Sequence, residues 1–392
     1  VNHGETPGAD AQTAAREWLC SNRGGVAVVA AASGLWTAVM WAAAWMSKLS
    51  PFTTSTWGRW DTGNYLSIAE GGYTFESCVG VANRTPDEMC GNAGWFPGYP
   101  YAMRFVHLFG VAYDDAGRLL AVAAFVGALA LLWFAVLRHR PPGQALAGMA
   151  LAAVFPGSIY YGAIFPISFV ILSSLAALVL IGRERFGLAG LCGAVATVSY
   201  TSGIVIATAA IVPLCTPALG SWRRRVGGAL ALGGVPTLAY GLVLLNFHRA
   251  VGHWDAAFQV QAGYRFTAAL PTTTLADRIR ELVTGEGLRW VAMQTAVVLV
   301  LVVLTVIVSI RCWRAWGLIE RSAVVVSGFW WVLPLFIGGD LSRYRAESLL
   351  FPLLIVVSHA GRRTTQVAAV LSAVAALVAF QMARSFFDYL II

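Results

Sequence analysis

The feature that most constrains this chain is an alternation of long apolar runs with short clusters of arginine. Runs over 26–46, 119–137, 227–246, 291–310 and 366–382 each approach the ~20 residues that an α-helix needs to cross a bilayer core. Arg138 with Arg140, Arg183 with Arg185, Arg223 to Arg225, Arg311 with Arg314, and Arg362 with Arg363 stand between apolar runs. With 58% hydrophobic and 12% charged residues, a soluble domain is excluded and a polytopic all-α membrane protein is expected. The formal charge of +8 does not point to nucleic acid, because the basic residues sit between apolar runs, where the positive-inside rule places them.

Other apolar regions are interrupted. Residues 145–181 are too long for one crossing and contain FPGSIYYGAIFP, so two short spans with a turn near Gly162 are expected. Residues 187–216 are broken near 199–203, and residues 322–337 and 348–359 read as further spans, for about eleven in all. Broken helices at membrane depth need protein or water around their freed backbone groups, so both breaks are expected to face a cavity.

The arginine clusters test this count. With a cytoplasmic N-terminal tail at 1–25, carrying a surface helix at 11–20, all five clusters fall on the cytoplasmic side. The segments 47–117, 247–290 and 338–347 then lie outside, with a short outer tail at 383–392 and one membrane domain over 26–382. The first run lacks a small-residue cleavage site and is expected to be a retained span. The Ala-, Val-, Arg- and Gly-rich composition matches a GC-rich bacterial gene, which makes a bacterial plasma membrane the expected location. Cys78 and Cys90 share the first outer segment, where an oxidising compartment permits a disulfide.

The first outer segment is polar, aromatic and Gly-rich. WDTGNYLSIAEGGY predicts a short interfacial helix with an apolar face of Tyr65, Leu66, Ile68 and Ala69, ended by Gly71 and Gly72. Asp61 at its start has two readings: a cap accepting amide bonds from Gly63 or Asn64, or a general base taking a proton from an acceptor hydroxyl. Glu70 reads as a surface or hydrogen-bonding residue. In FPGYP at 96–100, Pro97 and Pro100 stiffen a turn bearing Phe96, Tyr99 and Tyr101, which reads as a re-entry turn or as a pocket wall. Arg343 and Arg345 stand outside, against the general bias; their guanidinium groups suit a phosphate, a lipid headgroup, or pairing with Asp340 and Glu347. His248, His253, Asp255, Tyr264 and Arg265 populate the second outer segment as possible acceptor contacts, and His253 with Asp255 does not make a metal site.

Three ordered motifs carry a resemblance: RWDTGNYLSIAEGGY, then WFPGYP, then FPGSIYYGAIFP. Their order and spacing resemble the PIG-V (GPI mannosyltransferase 2) family of the GT-C glycosyltransferase superfamily, and SRYRAESLLFPL at 342–353 is similar to its closing arginine-and-FP element. The resemblance implies a GT-C-like fold with an extracytoplasmic active site and inverting transfer of a hexose, mannose by preference, from a polyprenyl-phosphate sugar. It puts the catalytic aspartate on Asp61. Its WFP element falls on Trp95, Phe96 and Pro97. With these, Arg59, Trp60, Asn64, Tyr65, Glu70, Tyr99, Tyr160, Tyr161, Tyr200, Arg343, Tyr344 and Arg345 are the donor- or acceptor-binding candidates. The lipid-linked sugar is a co-substrate, with no cofactor or metal expected, and the acceptor is a glycolipid, polysaccharide or protein of the cell envelope. The chain departs from the family pattern at Phe165 and Pro166 and at Tyr200 to Gly203, which puts the acceptor's identity in question. A lipid-linked sugar flippase or polysaccharide exporter subunit is the alternative. The near-absence of acidic residues from the spans weighs against transport.

Overall fold

Apolar length and Pro/Gly placement decide the architecture. The computed structural model describes residues 16–82, 84–264, 267–285, 289–338, 343–359 and 362–390. In chain order the described helices are α1 (Asn22–Met46), α2 (Thr62–Gly71), α3 (Gly98–His107), α4 (Tyr113–Ala135), α5 (Pro142–Ala153), α6 (Ile167–Gly182) and α7 (Phe186–Ser199). They continue with α8 (Ile211–Leu214), α9 (Trp222–Val251), α10 (Ala256–Ala262), α11 (Pro271–Thr284), α12 (Arg289–Cys312) and α13 (Leu318–Val332). The last three are α14 (Arg343–Ser348), α15 (Leu353–Val357) and α16 (Arg362–Phe387). Beside these α-helices and several 3-10 turns are two short antiparallel ribbons: β1 (Glu76–Ser77) with β2 (Met89–Cys90), and β3 (Thr267–Ala268) with β4 (Ile337–Gly338). The second ribbon ties the segment after α10 to the one after α13, with Thr267 opposite Gly338.

Six helices among the described residues are long and apolar enough to cross a membrane. These are α1, α4 with its extension to His139, α9, α12, α13 with its extension to Phe336, and α16 from Ala369. The chain is thus an all-helical membrane protein. Six is fewer than the crossings expected from the sequence, and the difference lies in the interrupted regions. The 145–181 run divides into α5, an irregular stretch and α6; the 187–216 run divides into α7, a 3-10 segment over Thr201–Ala210 and α8. Residues 348–359 form the five-residue helix α15 rather than a helix of crossing length.

The irregular stretch between α5 and α6 is deeply buried, with Phe155, Ile159, Tyr160, Tyr161 and Phe165 fully enclosed. Burial in protein is what non-helical backbone at membrane depth requires. Its carbonyls find partners: Trp36 Nε1 donates to Ser158 O at 2.9 Å, and Ser168 Oγ donates to Tyr161 O at 2.8 Å. Gly157 has φ +77°, and a Cβ there would fall 2.6 Å from the Ser348 side chain, so only glycine allows this stretch to lie against α14. Helices α7 and α9 also approach closely, since a Cβ on Gly190 would sit 2.3 Å from Ala231 O.

Two helices outside the long spans are amphipathic. On α3 the side chain of Arg104 turns back to the end of α2, where its Nε and Nη2 donate to Ala69 O and Ile68 O at 2.7 and 2.8 Å. This satisfies carbonyls that a helix end leaves open. Phe105, Leu108 and Phe109 remain exposed on and just beyond α3, as do Leu270, Ile279 and Val283 on and beside α11. Exposed apolar faces on short helices of this kind suit the headgroup boundary.

Candidate functional site

The site is assembled around the start of α2. Thr62 Oγ1 accepts from Arg59 N at 3.1 Å and donates to Ile164 O at 3.2 Å, while Ile164 N donates to Trp57 O at 3.1 Å. The turn before α2 is thereby fastened to the irregular stretch between α5 and α6. Trp60 sits in that turn with φ +50°, a left-handed conformation that costs a bulky residue about 1–2 kcal/mol. As the sequence leads one to expect, the helix buries Tyr65, Ile68 and Ala69 and stops where Gly72 adopts φ +89°. Leu66 is half-buried and Glu70 is exposed.

Asp61 occupies the N-cap position, but its side chain makes no cap bond. Its backbone carbonyl accepts from Asn64 N at 3.0 Å and Tyr65 N at 3.2 Å, and its carboxylate pairs instead with the Arg345 guanidinium of α14. The side chains are 17% and 5% exposed, so the pair is largely withdrawn from water. The cap reading of the carboxylate therefore gives way to an ion pair.

Arg345 is held on both sides. Its guanidinium lies 5.7 Å from the Phe165 ring centre, and Ser348 Oγ donates to its carbonyl. Two residues on, Glu347 accepts from Gln294 Nε2 at 2.8 Å and Thr295 Oγ1 at 2.6 Å, and Gln294 Nε2 also reaches Tyr344 O at 2.9 Å. These bonds pin α14 to α12. Burial works against the Arg345 charge, yet Asp61, with Tyr200 and Tyr160 nearby, raises its pKa above the ordinary arginine value.

A tyrosine cage surrounds the pair. Tyr160 stacks on Tyr344 with ring centres 6.2 Å apart and meets Phe165 at 5.3 Å. Tyr65 meets Tyr99 at 5.8 Å and Phe165 at 6.0 Å, and burial pushes its phenol well above the usual range, with Tyr200 and Asp61 adding to the shift. Tyr161 donates to Ser348 O at 2.8 Å, closing the contact between the irregular stretch and α14. Tyr264 stands at the edge: burial raises its pKa, Asp61 adds to this, and its ring carries the Arg84 guanidinium at 4.7 Å.

The structure thus brings Asp61, Tyr65, Tyr160, Tyr161, Tyr200, Tyr344 and Arg345 together. Other candidates pack elsewhere. Trp95 accepts a bond from Tyr73 Oη at 3.0 Å through its carbonyl, Phe96 lies between Tyr240 and Phe247, and Tyr99 donates to Gly117 O at 2.7 Å. With Pro97 buried at the N-cap of α3, WFPGYP packs the helix entry and contributes the Tyr99 ring to the cage. Asn64 is half-buried on α2. Arg59 is turned toward the loop carbonyls before it, and Trp60 toward Tyr389. Asp255 accepts from Gln259 Nε2 at 2.9 Å within α10, and His248 stacks on Trp254, so these act locally. Arg265, Asp340 and the side chain of Arg343 lie outside the described residues.

Cys78 and Cys90 form a disulfide that closes the β1–β2 loop. Asn92 fastens this loop to α2 by accepting from Thr74 N at 2.8 Å and donating to Ser67 Oγ at 2.9 Å and Gly72 O at 3.0 Å. Sequence reasoning missed Thr62, Gln294 and Thr295 as supports of the site. Their only sequence signal is polarity beside or within apolar helices. Among the described residues no group of three His, Cys, Asp or Glu side chains is arranged to hold a metal ion.

No protein-family model matches the chain, and no curated protein sequence matches it. Fold and site together define an integral membrane protein of helices, with a shielded carboxylate–guanidinium pair where its first long loop meets α14.

Proposed function

We propose that the chain is an inverting glycosyltransferase of the GT-C type, moving a hexose, mannose by preference, from a polyprenyl-phosphate sugar to a cell-envelope acceptor. The observation that carries this reading is the Asp61–Arg345 pair: one carboxylate and one guanidinium, shielded by aromatic rings and held by loops next to membrane spans. In this reading Asp61 takes the proton of the acceptor hydroxyl as its oxygen attacks the anomeric carbon. The new carbon–oxygen bond forms on the face opposite the phosphate, and the old bond breaks with its electron pair going to the phosphate oxygen. Arg345 orients Asp61 in the resting site and puts positive charge beside the phosphate as that charge develops.

The surrounding rings suit a hexose, which offers C–H faces to aromatics and hydroxyls to phenols. Phe165 and Tyr200, where the chain departs from the family pattern it resembles, both border the pair, in keeping with an acceptor other than a GPI precursor. The arginine clusters favour a cytoplasmic N-terminus, which puts this site on the extracytoplasmic side of a bacterial plasma membrane. The deciding assay supplies polyprenyl-phosphate mannose and envelope extracts to purified protein. Hexose transfer that Asp61→Asn abolishes supports the reading; transfer undiminished in folded Asp61→Asn, or lipid translocation without transfer in vesicles, overturns it.

A further inference from the structure

We infer that His359, Glu320 and Arg140 form a proton-sensitive joint, in which protonation of His359 exchanges its partner and frees the turn between α4 and α5. The joint lies at the far end of α4 from the Asp61–Arg345 pair: Tyr99 of the cage bonds to Gly117 at the start of that helix, and Arg140 follows its end. Three segments meet here. Arg140 closes the 3-10 turn Leu137–His139, Glu320 sits in the first turn of α13, and His359 stands two residues beyond α15. Glu320 divides its oxygens. Its Oε2 accepts from Gly317 N at 3.1 Å and caps α13, while its Oε1 faces His359 Nε2 at 2.9 Å and Arg140 Nη2 at 3.5 Å. Arg140 Nη2 also meets His359 Nε2. Among the described residues the Arg140 side chain bonds to nothing else, and its buried Nε has no partner. The buried Trp316 ring covers His359 edge-on, with ring centres 5.8 Å apart.

One ring nitrogen cannot serve both neighbours in the same state. In neutral His359 with its hydrogen on Nδ1, the Nε2 lone pair accepts from Arg140, which then spans His359 and Glu320 and ties its turn to α13 and to the end of α15. When a proton from water binds Nε2, that nitrogen becomes a donor to Glu320 Oε1, and the imidazolium faces the guanidinium as a like charge in contact. The side chains of Glu320, His359 and Arg140 are 11%, 16% and 26% exposed, so water reaches the group while screening it only in part. Arg140, the most exposed of the three, is the one that yields. Neighbouring elements bring further charged groups. Arg138 and His139 of the same turn bond to one another at 3.2 Å, and Arg321 of α13 turns to Trp313 O at 3.1 Å. Arg311 and Arg314 before α13 are exposed, as are Arg183 and Arg185 beyond α6, where Glu184 pairs with Arg224. The side chains of Arg362 and Arg363 lie outside the described residues. Helix α5 runs from this turn to the irregular stretch that fastens Thr62, and α15 follows α14. Both segments that dock the Asp61–Arg345 pair therefore have their other ends at the joint. On the arginine-based orientation it faces the cytoplasm; the inference does not depend on the glycosyltransferase reading.

The test is a spin-label distance between the start of α5 and the start of α13. With Cys20, Cys192, Cys215 and Cys312 replaced by serine, nitroxides are placed at the exposed positions Gly143→Cys and Ala315→Cys, and the full chain is held in nanodiscs. As the buffer is taken from about pH 8 to about pH 5.5, the range in which histidine changes charge, the distance is expected to shift from one population to a second, longer one. His359→Gln, which donates and accepts at every pH, is expected to lose this response. His359→Lys, with a fixed charge, is expected to show the longer population throughout, as is Arg140→Gln, which lacks the tie. One unchanged distance in the otherwise wild-type chain overturns the inference. So does a pH response that persists in His359→Gln, which would assign it to another group such as His139, or an Arg140→Gln chain that keeps the short distance. No sugar transfer is read, so the outcome stands apart from that of the hexose assay.

Discussion

Asp61 and Arg345 stand 284 positions apart in the chain and meet as an ion pair that is mostly shielded from water. One partner comes from the turn before α2, whose placement depends on Thr62 and Ile164; the other comes from α14, whose placement depends on Glu347 and Gly157. Each is held by its own set of bonds, so the pair reports how two distant segments are docked.

Breaking the pair is expected to damage stability as well as chemistry. Arg345→Gln leaves a largely buried carboxylate unpaired and is expected to cost about 3 kcal/mol. The double variant Asp61→Asn with Arg345→Gln is expected to recover part of that loss, because both charges are gone. Thermal unfolding of the three forms checks this. Hexose transfer in Asp61→Asn is expected to fall about 10²- to 10⁴-fold, as loss of a general base implies.

Glu347 is expected to behave as a positioning residue. Its carboxylate accepts from Gln294 and Thr295 of α12 and so sets where α14 presents Arg345. Glu347→Gln keeps the shape but removes the charge from these bonds, with an expected loss of about 2 kcal/mol. A lower unfolding temperature together with reduced hexose transfer is the expected result. Unchanged unfolding would show that the two bonds contribute nothing to the docking of α14.

The Cys78–Cys90 disulfide closes a loop over a sequence separation of 12. Loop-closure entropy predicts that replacing both cysteines by serine costs about 3 kcal/mol, confined to the loop that Asn92 joins to α2. Hydrogen exchange over 72–92, compared with and without reductant, is the measurement. Faster exchange is expected in the reduced protein and in the serine variant alike.

Membrane orientation is open to direct labelling. In a background with Cys20, Cys192, Cys215 and Cys312 replaced by serine, Val79→Cys and Arg223→Cys each give one exposed thiol. An impermeant maleimide is expected to label Val79→Cys from outside intact cells and Arg223→Cys only after lysis. Labelling of both from the same side would break the arginine-based topology.

Much of this architecture was legible because it rests on local composition. The apolar stretches of α1, α4, α9, α12 and α16 announce crossing helices by length, and their arginine flanks propose an orientation. The helix after Asp61 and its end at Gly72 follow from short-range pattern and from glycine's access to positive φ. The interrupted runs were harder to read. A buried broken helix and a membrane crossing are equally apolar, and periodicity does not separate them; only the packing of Tyr160 and Tyr161 against Tyr344 and Ser348 does.

The candidate site divides along the same line. The sequence by itself determined that a lone aspartate would head a short helix in the first long loop, and that two arginines, Arg343 and Arg345, would stand in a later polar loop. Tertiary structure decided that Arg345 meets the Asp61 carboxylate and that WFPGYP is mostly packing. The physical reason is that ion pairing depends on separation in space. Here that separation is set by contacts between segments, at Gly157 against Ser348, Thr62 against Ile164 and Glu347 against Thr295, which no local pattern encodes.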